Sequence, residues 1–213
     1  MTQHPEGSVT ASWRRIDAWP AVHAPAASAA LRPPAGADAV EAAERALDVP
    51  FPAELRESLG CHDGATGWTG LLPEQSPLGA ADIAEHGRMR LETAAGTDGL
   101  VTRPWDDEPW WHPLWVPRAE SADGGVQVID LRPGPGSGRL GWAGHSGGGD
   151  FSGAWPGLAA YLHEVSRALW HGGGVRGTYR PYLTADGDLW WDCAGDRPSP
   201  NGEPLTPAPV GPG

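Results

Sequence analysis

The stretch "PWDDEPWWHPLW" at 104 to 115 holds four of the chain's twelve tryptophans and three consecutive carboxylates, Asp106, Asp107 and Glu108. Three readings are open for it: a sugar-binding cleft with an acid pair, a sticky face for a partner, or a tight bend whose aromatics are core. Glycoside hydrolysis needs two carboxylates placed across a sugar, normally from separate elements, whereas adjacent loop positions point in different directions. A second candidate is "GHSGG" at 144 to 148, which fits the nucleophile-elbow pattern around Ser146. An elbow requires a helix starting at the serine to help hold an oxyanion, and here "GGGDFSGAW" intervenes. "HGGG" at 171 to 174 imitates an oxyanion-hole motif but follows the serine it should precede. The eight histidines are scattered, without HExxH or helical metal-ligand spacing. His62 and Asp63 form a tempting dyad that a polar turn explains more simply. These patterns predict no catalytic residue, no metal ligand and no cofactor site.

Charge removes further classes of chemistry. The net charge is −12, and all fifteen basic residues are arginine. Without lysine the chain has no GxxxxGK phosphate loop, no Schiff-base lysine and no SxxK serine site. An acidic chain is poorly suited to polyphosphates or anionic membranes, so no direct nucleic-acid or membrane binding is expected. A partner steered by charge would be basic. No apolar run approaches the roughly 20 residues of a membrane span and no leader pattern opens the chain, which predicts a cytoplasmic protein. Cys61 and Cys193 fit neither a disulfide framework nor a zinc knuckle.

The elements that must position these residues read as helices first. Ser12 is a candidate N-cap for Trp13, Ile16 and Trp19 at helical spacing, with Pro20 and Pro25 limiting that helix. A second helix runs from Asp38 to Leu47, and a third starts near Pro52, faces the core with Leu55 and Leu59, and stops at Gly60. "GAADIAEHGRMRLETAA" reads as a helix with an internal glycine. Strands follow at 114 to 119, 125 to 133 and 138 to 144, an antiparallel meander. Residues 155 to 170 carry the clearest helical stripe, and a hairpin around "TADG" comes after it. The expected divisions are a flexible 1–11, a domain at 12–171, a hairpin extension at 172–195 and a disordered Pro/Gly tail at 196–213. The fold class is α+β, a mixed or mainly antiparallel sheet flanked by helices.

Three segments together, spanning roughly residues 12 to 171, resemble the SUKH superfamily, the Smi-one/Knr-four family. The first, "W..ID.W" at 13 to 19 with "LRPPAGADAVEAAERALDVPFPAELRESLGCHDG", supplies Glu44, Pro52, Leu55, Leu59, Asp63 and Gly64. The second, "WWHPLWVPRAESADGGVQVIDLRPGPGSGRLGW", supplies Trp115, Pro117, Gly125, Asp130, Pro133 and Gly138. The helix at 155 to 170 stands where the family closes its domain. The resemblance implies a SUKH-like α+β fold and binding without catalysis. Bacterial members look like immunity proteins that neutralise toxins, many of them nucleases, and fungal relatives act as intracellular scaffolds. It therefore implies a stoichiometric protein-binding domain whose partner is a basic toxin or nuclease domain, with a regulatory adaptor as the alternative and a hydrolase as a weaker one. Most signature residues fit structural roles: Gly64 and Gly125 in positive-φ turns, Pro52 at a helix start, and Trp111 and Trp115 as buried framework. The "TRPWDDEPW" insertion departs from the family pattern. It places Trp105, Asp106, Asp107, Glu108 and Trp110 as candidate partner contacts.

Overall fold

The computed structural model describes residues 7–193 and 202–211. In chain order the elements are α1 (Val9–Ala18), α2 (Pro20–His23), α3 (Pro25–Ala29), α4 (Ala37–Leu47), α5 (Ala53–Leu59), β1 (Ser76–Pro77), α6 (Ala80–Gly96), β2 (Trp115–Glu120), β3 (Val126–Asp130), β4 (Leu140–Ala143), β5 (Asp150–Trp155), α7 (Leu158–His171), β6 (Arg180–Leu183), β7 (Leu189–Asp192) and β8 (Thr206–Pro207). Helices with antiparallel sheets make this an α+β fold, as expected from the order of elements. The chain divides into two compact units, each assembled from separated segments. Unit 1 draws on Met1–Arg32, Ala65–Ser76 and Ala159–Gly213, and unit 2 on Pro33–Gly64 and Pro77–Leu158.

The larger sheet is ordered β1-β2-β3-β4-β5, and its strands β2 to β5 lie in unit 2. β2 and β3 pair from Trp115 opposite Asp130 to Glu120 opposite Val126, with the register slipping between Pro117 and Ala119. Pro117 has no N–H to give the ladder, so an irregularity beside it is expected. The extra residue, Arg118, stays buried, and its Nε donates to Gln127 Oε1 at 2.5 Å. Alternate side chains of β3, Val126 and Val128, join Trp111, Trp115, Ala143 and Ala94 of α6 in one apolar core. Helix α6 also packs on α4, where a Cβ on Gly87 would come within 2.7 Å of Leu47 Cδ2. The internal glycine of α6 is thus a point of close helix approach.

Local chemistry fixes the helix ends in unit 2. Glu44 of α4 accepts from the Phe51 N–H and from Arg56 of α5, both at 2.5 Å, which ties the two helices across their link. Pro52 sits at the N-cap of α5, where a missing N–H costs nothing. Asp63 Oδ1 accepts from the Ala80 N–H at 2.7 Å at the start of α6.

Unit 1 opens on α1, capped by the Ser8 hydroxyl, which accepts from the Ala11 N–H at 3.1 Å. The helix therefore begins earlier than Ser12, which lies buried within it, and the flexible N-terminal segment expected to reach residue 11 is helical from Val9. Residues 1–6 of that segment lie outside the described residues. Pro20 and Pro25 each open a short helical turn, α2 and α3. α7 buries Tyr161, Leu162, Val165, Ala168 and Leu169, and its Trp170 indole donates to Arg15 O at 2.7 Å. The expected hairpin forms as β6 and β7, and it falls in unit 1 with α1 and all but the first residue of α7. Of the tail expected to be disordered, residues 202–211 take a defined path. β8 pairs antiparallel with β6, giving a sheet ordered β7-β6-β8. Prolines hid this strand in the sequence, yet an edge strand tolerates them because its outer N–H groups are unused. Residues 196–201 and 212–213 of the expected tail lie outside the described residues.

Candidate functional site

The insertion between α6 and β2 is anchored at both ends and exposes its middle to solvent. Gly99 donates its N–H to Ala94 O at 2.8 Å, Trp111 donates to Gly99 O at 3.1 Å, and Gly149 donates to Pro109 O at 2.9 Å. Between these ties Trp105 is 76% exposed and Val101 65% exposed, with Asp107 also in solvent. Trp111 and Trp115 are both buried, their rings 5.9 Å apart edge to face.

The three carboxylates of the run have separate fates. Glu108 receives both Arg132 guanidinium nitrogens, at 2.6 and 2.9 Å, and meets Arg139 at 3.5 Å. Arg132 and Arg139 also converge on Asp130, with contacts of 2.7 and 3.0 Å to its Oδ2. Arg139 lies over the Phe151 ring at 4.3 Å and Arg132 over Trp115 at 5.4 Å. Two acids and two guanidiniums form a charge-balanced network against the aromatic core. Burial works against the Asp130 carboxylate, but the hydrogen bonds from Arg132 and Arg139 outweigh it and its pKa falls below the usual range. The same bonds, first from Asp130 and then from Glu108, raise the Arg132 pKa. His112 Nδ1 accepts from the Leu114 N–H at 3.0 Å; burial, then the nearby Arg132 charge, lowers its pKa. Glu108 is thus committed to holding the fold, and the run offers no set of three solvated acids. Asp106 lies against the turn at Gly148, and Asp107 remains in solvent.

A residue the sequence reading passed over organises the rest of this face. Arg90 of α6 is only 5% exposed. It donates to Gly144 O at 3.0 Å and to Gly124 O, gripping the β4–β5 and β2–β3 turns from beneath. Trp110 lies 5.3 Å from its guanidinium and Trp111 5.7 Å. Burial depresses the Arg90 pKa, and Asp123 partly opposes that. Trp110 is half-buried and donates its indole N–H to His145 O at 3.2 Å, so it locks the loop as well as facing outward. A groove of about 610 Å³ runs beside these groups, lined among others by Met89, Thr93, Arg103, Trp110 and His145. The signal for Arg90 was available: Ile83, Gly87, Arg90 and Ala94 recur at helical spacing on the buried side of α6.

The decoys resolve plainly. Ser146 is exposed in the β4–β5 turn and strand β5 follows it, so the helix an elbow needs is absent there. Asp63 caps α6. Gly64 has φ +74° as expected, but Gly125 does not adopt positive φ; its neighbour Gly124 does, at +81°. Gly125 is required for a different reason, since a Cβ there would lie 2.2 Å from Trp142 Cζ2. Pro117 is buried in β2, Pro133 is exposed in the turn before β4, and Gly138 donates its N–H to Asp130 O at 2.7 Å. Leu55 and Leu59 are core. Among the described residues no cluster of three or more His, Cys, Asp or Glu could hold a metal ion.

An antiparallel sheet covered by helices, with its signature acids spent on helix ends and an internal ion network, defines an α+β domain of the SUKH class. The chain belongs to the SMI1 / KNR4 family (SUKH-1), whose sequence model matches residues 34–164. It is similar to a KNR4/SMI1 homolog of Kluyveromyces lactis, 36% identical over 80 residues, covering 35% of this chain and 15% of that protein. It is also similar to the cell wall biosynthesis/cell cycle regulator smi1 of Schizosaccharomyces pombe, 30% identical over 146 residues, covering 60% of this chain and 29% of that protein. The chain thus matches less than a third of either relative's length.

Proposed function

We propose that this chain is a non-catalytic regulatory adaptor that acts in the cytoplasm and binds a partner protein through the exposed part of loop 99–107, with Trp105 as anchor. The carrying observation is Trp105, 76% exposed on a loop whose two ends are pinned, beside Val101 at 65% and Leu100 at 39%. A large aromatic presented on a fixed loop is the typical centre of a protein interface. The fission yeast relative, named as a regulator, lends support to the adaptor reading. No helix among the described residues is long and apolar enough to cross a membrane.

The test is an affinity pull-down read by mass spectrometry, comparing the wild type with Trp105→Ala/Asp107→Arg. Trp110 is left intact because its bond to His145 is part of the fold. The expected outcome is a defined set of host proteins held by the wild type and lost from the variant. Identical capture by both would remove this face from consideration.

A second reading, stoichiometric neutralisation of a basic toxin or nuclease domain, is favoured by the net charge of −12. It requires that the captured partner be a basic toxin and that co-expression of this chain rescue cells from it. Failure of rescue against each captured toxin would leave the adaptor alone.

A further inference from the structure

Residues 203–211, Glu-Pro-Leu-Thr-Pro-Ala-Pro-Val-Gly, lie along the edge of β6 as a bound peptide would. Tyr182 pairs with Pro207 and Leu183 with Thr206, and the Ala208 N–H donates to Pro181 O at 3.1 Å. The indole N–H of Trp19, a side chain only 1% exposed, donates to Pro209 O at 3.0 Å. Gly211 is buried against the face of Trp170, where a Cβ would stand 2.2 Å from Cε3. That ring is fixed by its bond to Arg15 O at 2.7 Å and by the Arg15 guanidinium 5.7 Å from its centroid. Within 203–211 only Leu205, Ala208 and Gly211 are not exposed. Their spacing of three matches the three residues per turn of a polyproline II helix, which proline favours and which leaves its backbone free to bond outward. A buried tryptophan N–H directed at a proline carbonyl is the contact expected of an aromatic groove that reads such segments.

We infer that the β6 edge with Trp19 and Trp170 is a docking surface for a proline-rich extended segment of a partner protein, occupied in this chain by its own residues 203–211. The inference deepens the protein-binding reading by adding a second surface and a ligand class; it does not depend on Trp105. The groove takes apolar or small residues at three-residue spacing, and the position against Trp170 admits glycine alone. A segment tethered in cis has an effective concentration on the order of millimolar. An identical segment on a second copy competes only near that concentration, so the exchanging occupant is a partner segment of higher affinity.

The experiment titrates the full chain and its Ala208→Pro variant with a synthetic peptide of residues 203–211, following the Trp19 indole N–H by nuclear magnetic resonance. Ala208→Pro deletes the donor to Pro181 and leaves the groove untouched. It is expected to shift the Trp19 resonance and to tighten peptide binding about fivefold, the equivalent of one hydrogen bond. The same peptide carrying Gly211→Val is expected to lose binding. An unchanged Trp19 resonance in the variant, or equal binding of both peptides, would overturn the inference. Dimerisation of the wild type at micromolar concentration through exchange of this segment would also overturn it, by assigning the groove to a second copy. Loss of partners in Trp105→Ala/Asp107→Arg has no bearing on these readouts, so the two proposals fail separately.

Discussion

Asp130 is the most constrained charge in unit 2, with a side chain 3% exposed between Arg132 and Arg139. Asp130→Asn leaves two guanidiniums facing a neutral amide, and because both arginines retain some solvent, the expected cost is about 2–3 kcal/mol, read as a lower urea midpoint. Acid should act through the same residue. Its folded pKa is depressed, so its stabilisation is complete above the unfolded value near pH 4 and fades as pH falls through the lower folded value. His112 is depressed as well, so its contribution is complete above about pH 6.5 and is lost first on acidification. A pH series of thermal melts should therefore decline in two stages, and His112→Gln should remove the earlier one. Acidic residues in a run looked solvent-facing because sequence gives no view of long-range partners; Glu108 finds Arg132 only after β2 and β3 pair. Trp105 and Trp110 looked alike for the same reason, since one is defined by the absence of neighbours and the other by Arg90 and His145.

At the level of elements, periodicity made α4, α6 and α7 legible to within a few residues, since each buries a stripe at helical spacing. β5 was missed because its sequence, "DFSGAW", has neither alternation nor branched residues and pairs only through backbone geometry around a slip between Leu140 and Trp142. β8 was missed because Pro207 argues locally against a strand, and only an edge position makes it acceptable. The α4–α6 contact yields a two-sided prediction. Gly87→Ala gains about 1 kcal/mol of helix propensity while displacing a rotatable Leu47 methyl, so its melting temperature should stay near that of the wild type. Gly87→Leu cannot be absorbed and should cost roughly 2 kcal/mol in chemical denaturation.

For the whole molecule, the net charge of −12 sets association kinetics with any basic partner. Capture rates measured by stopped flow should fall as ionic strength rises from about 0.01 to 0.15 M, with dissociation changing little; salt-independent rates would discard the basic-partner expectation. The charge and the absence of lysine were fully visible in the sequence, whereas the division into units was not, because neither unit is contiguous. That interleaving bears on synthesis. Unit 2 has all of its segments once residue 158 is made, whereas unit 1 begins with Met1–Arg32 and waits for Ala159–Gly213. On the ribosome, α1 therefore emerges well before α7, whose Trp170 and His171 both bond to Arg15 of α1. A nascent chain stalled just after unit 2 lacks those ties, and release of a bound chaperone should track the appearance of α7.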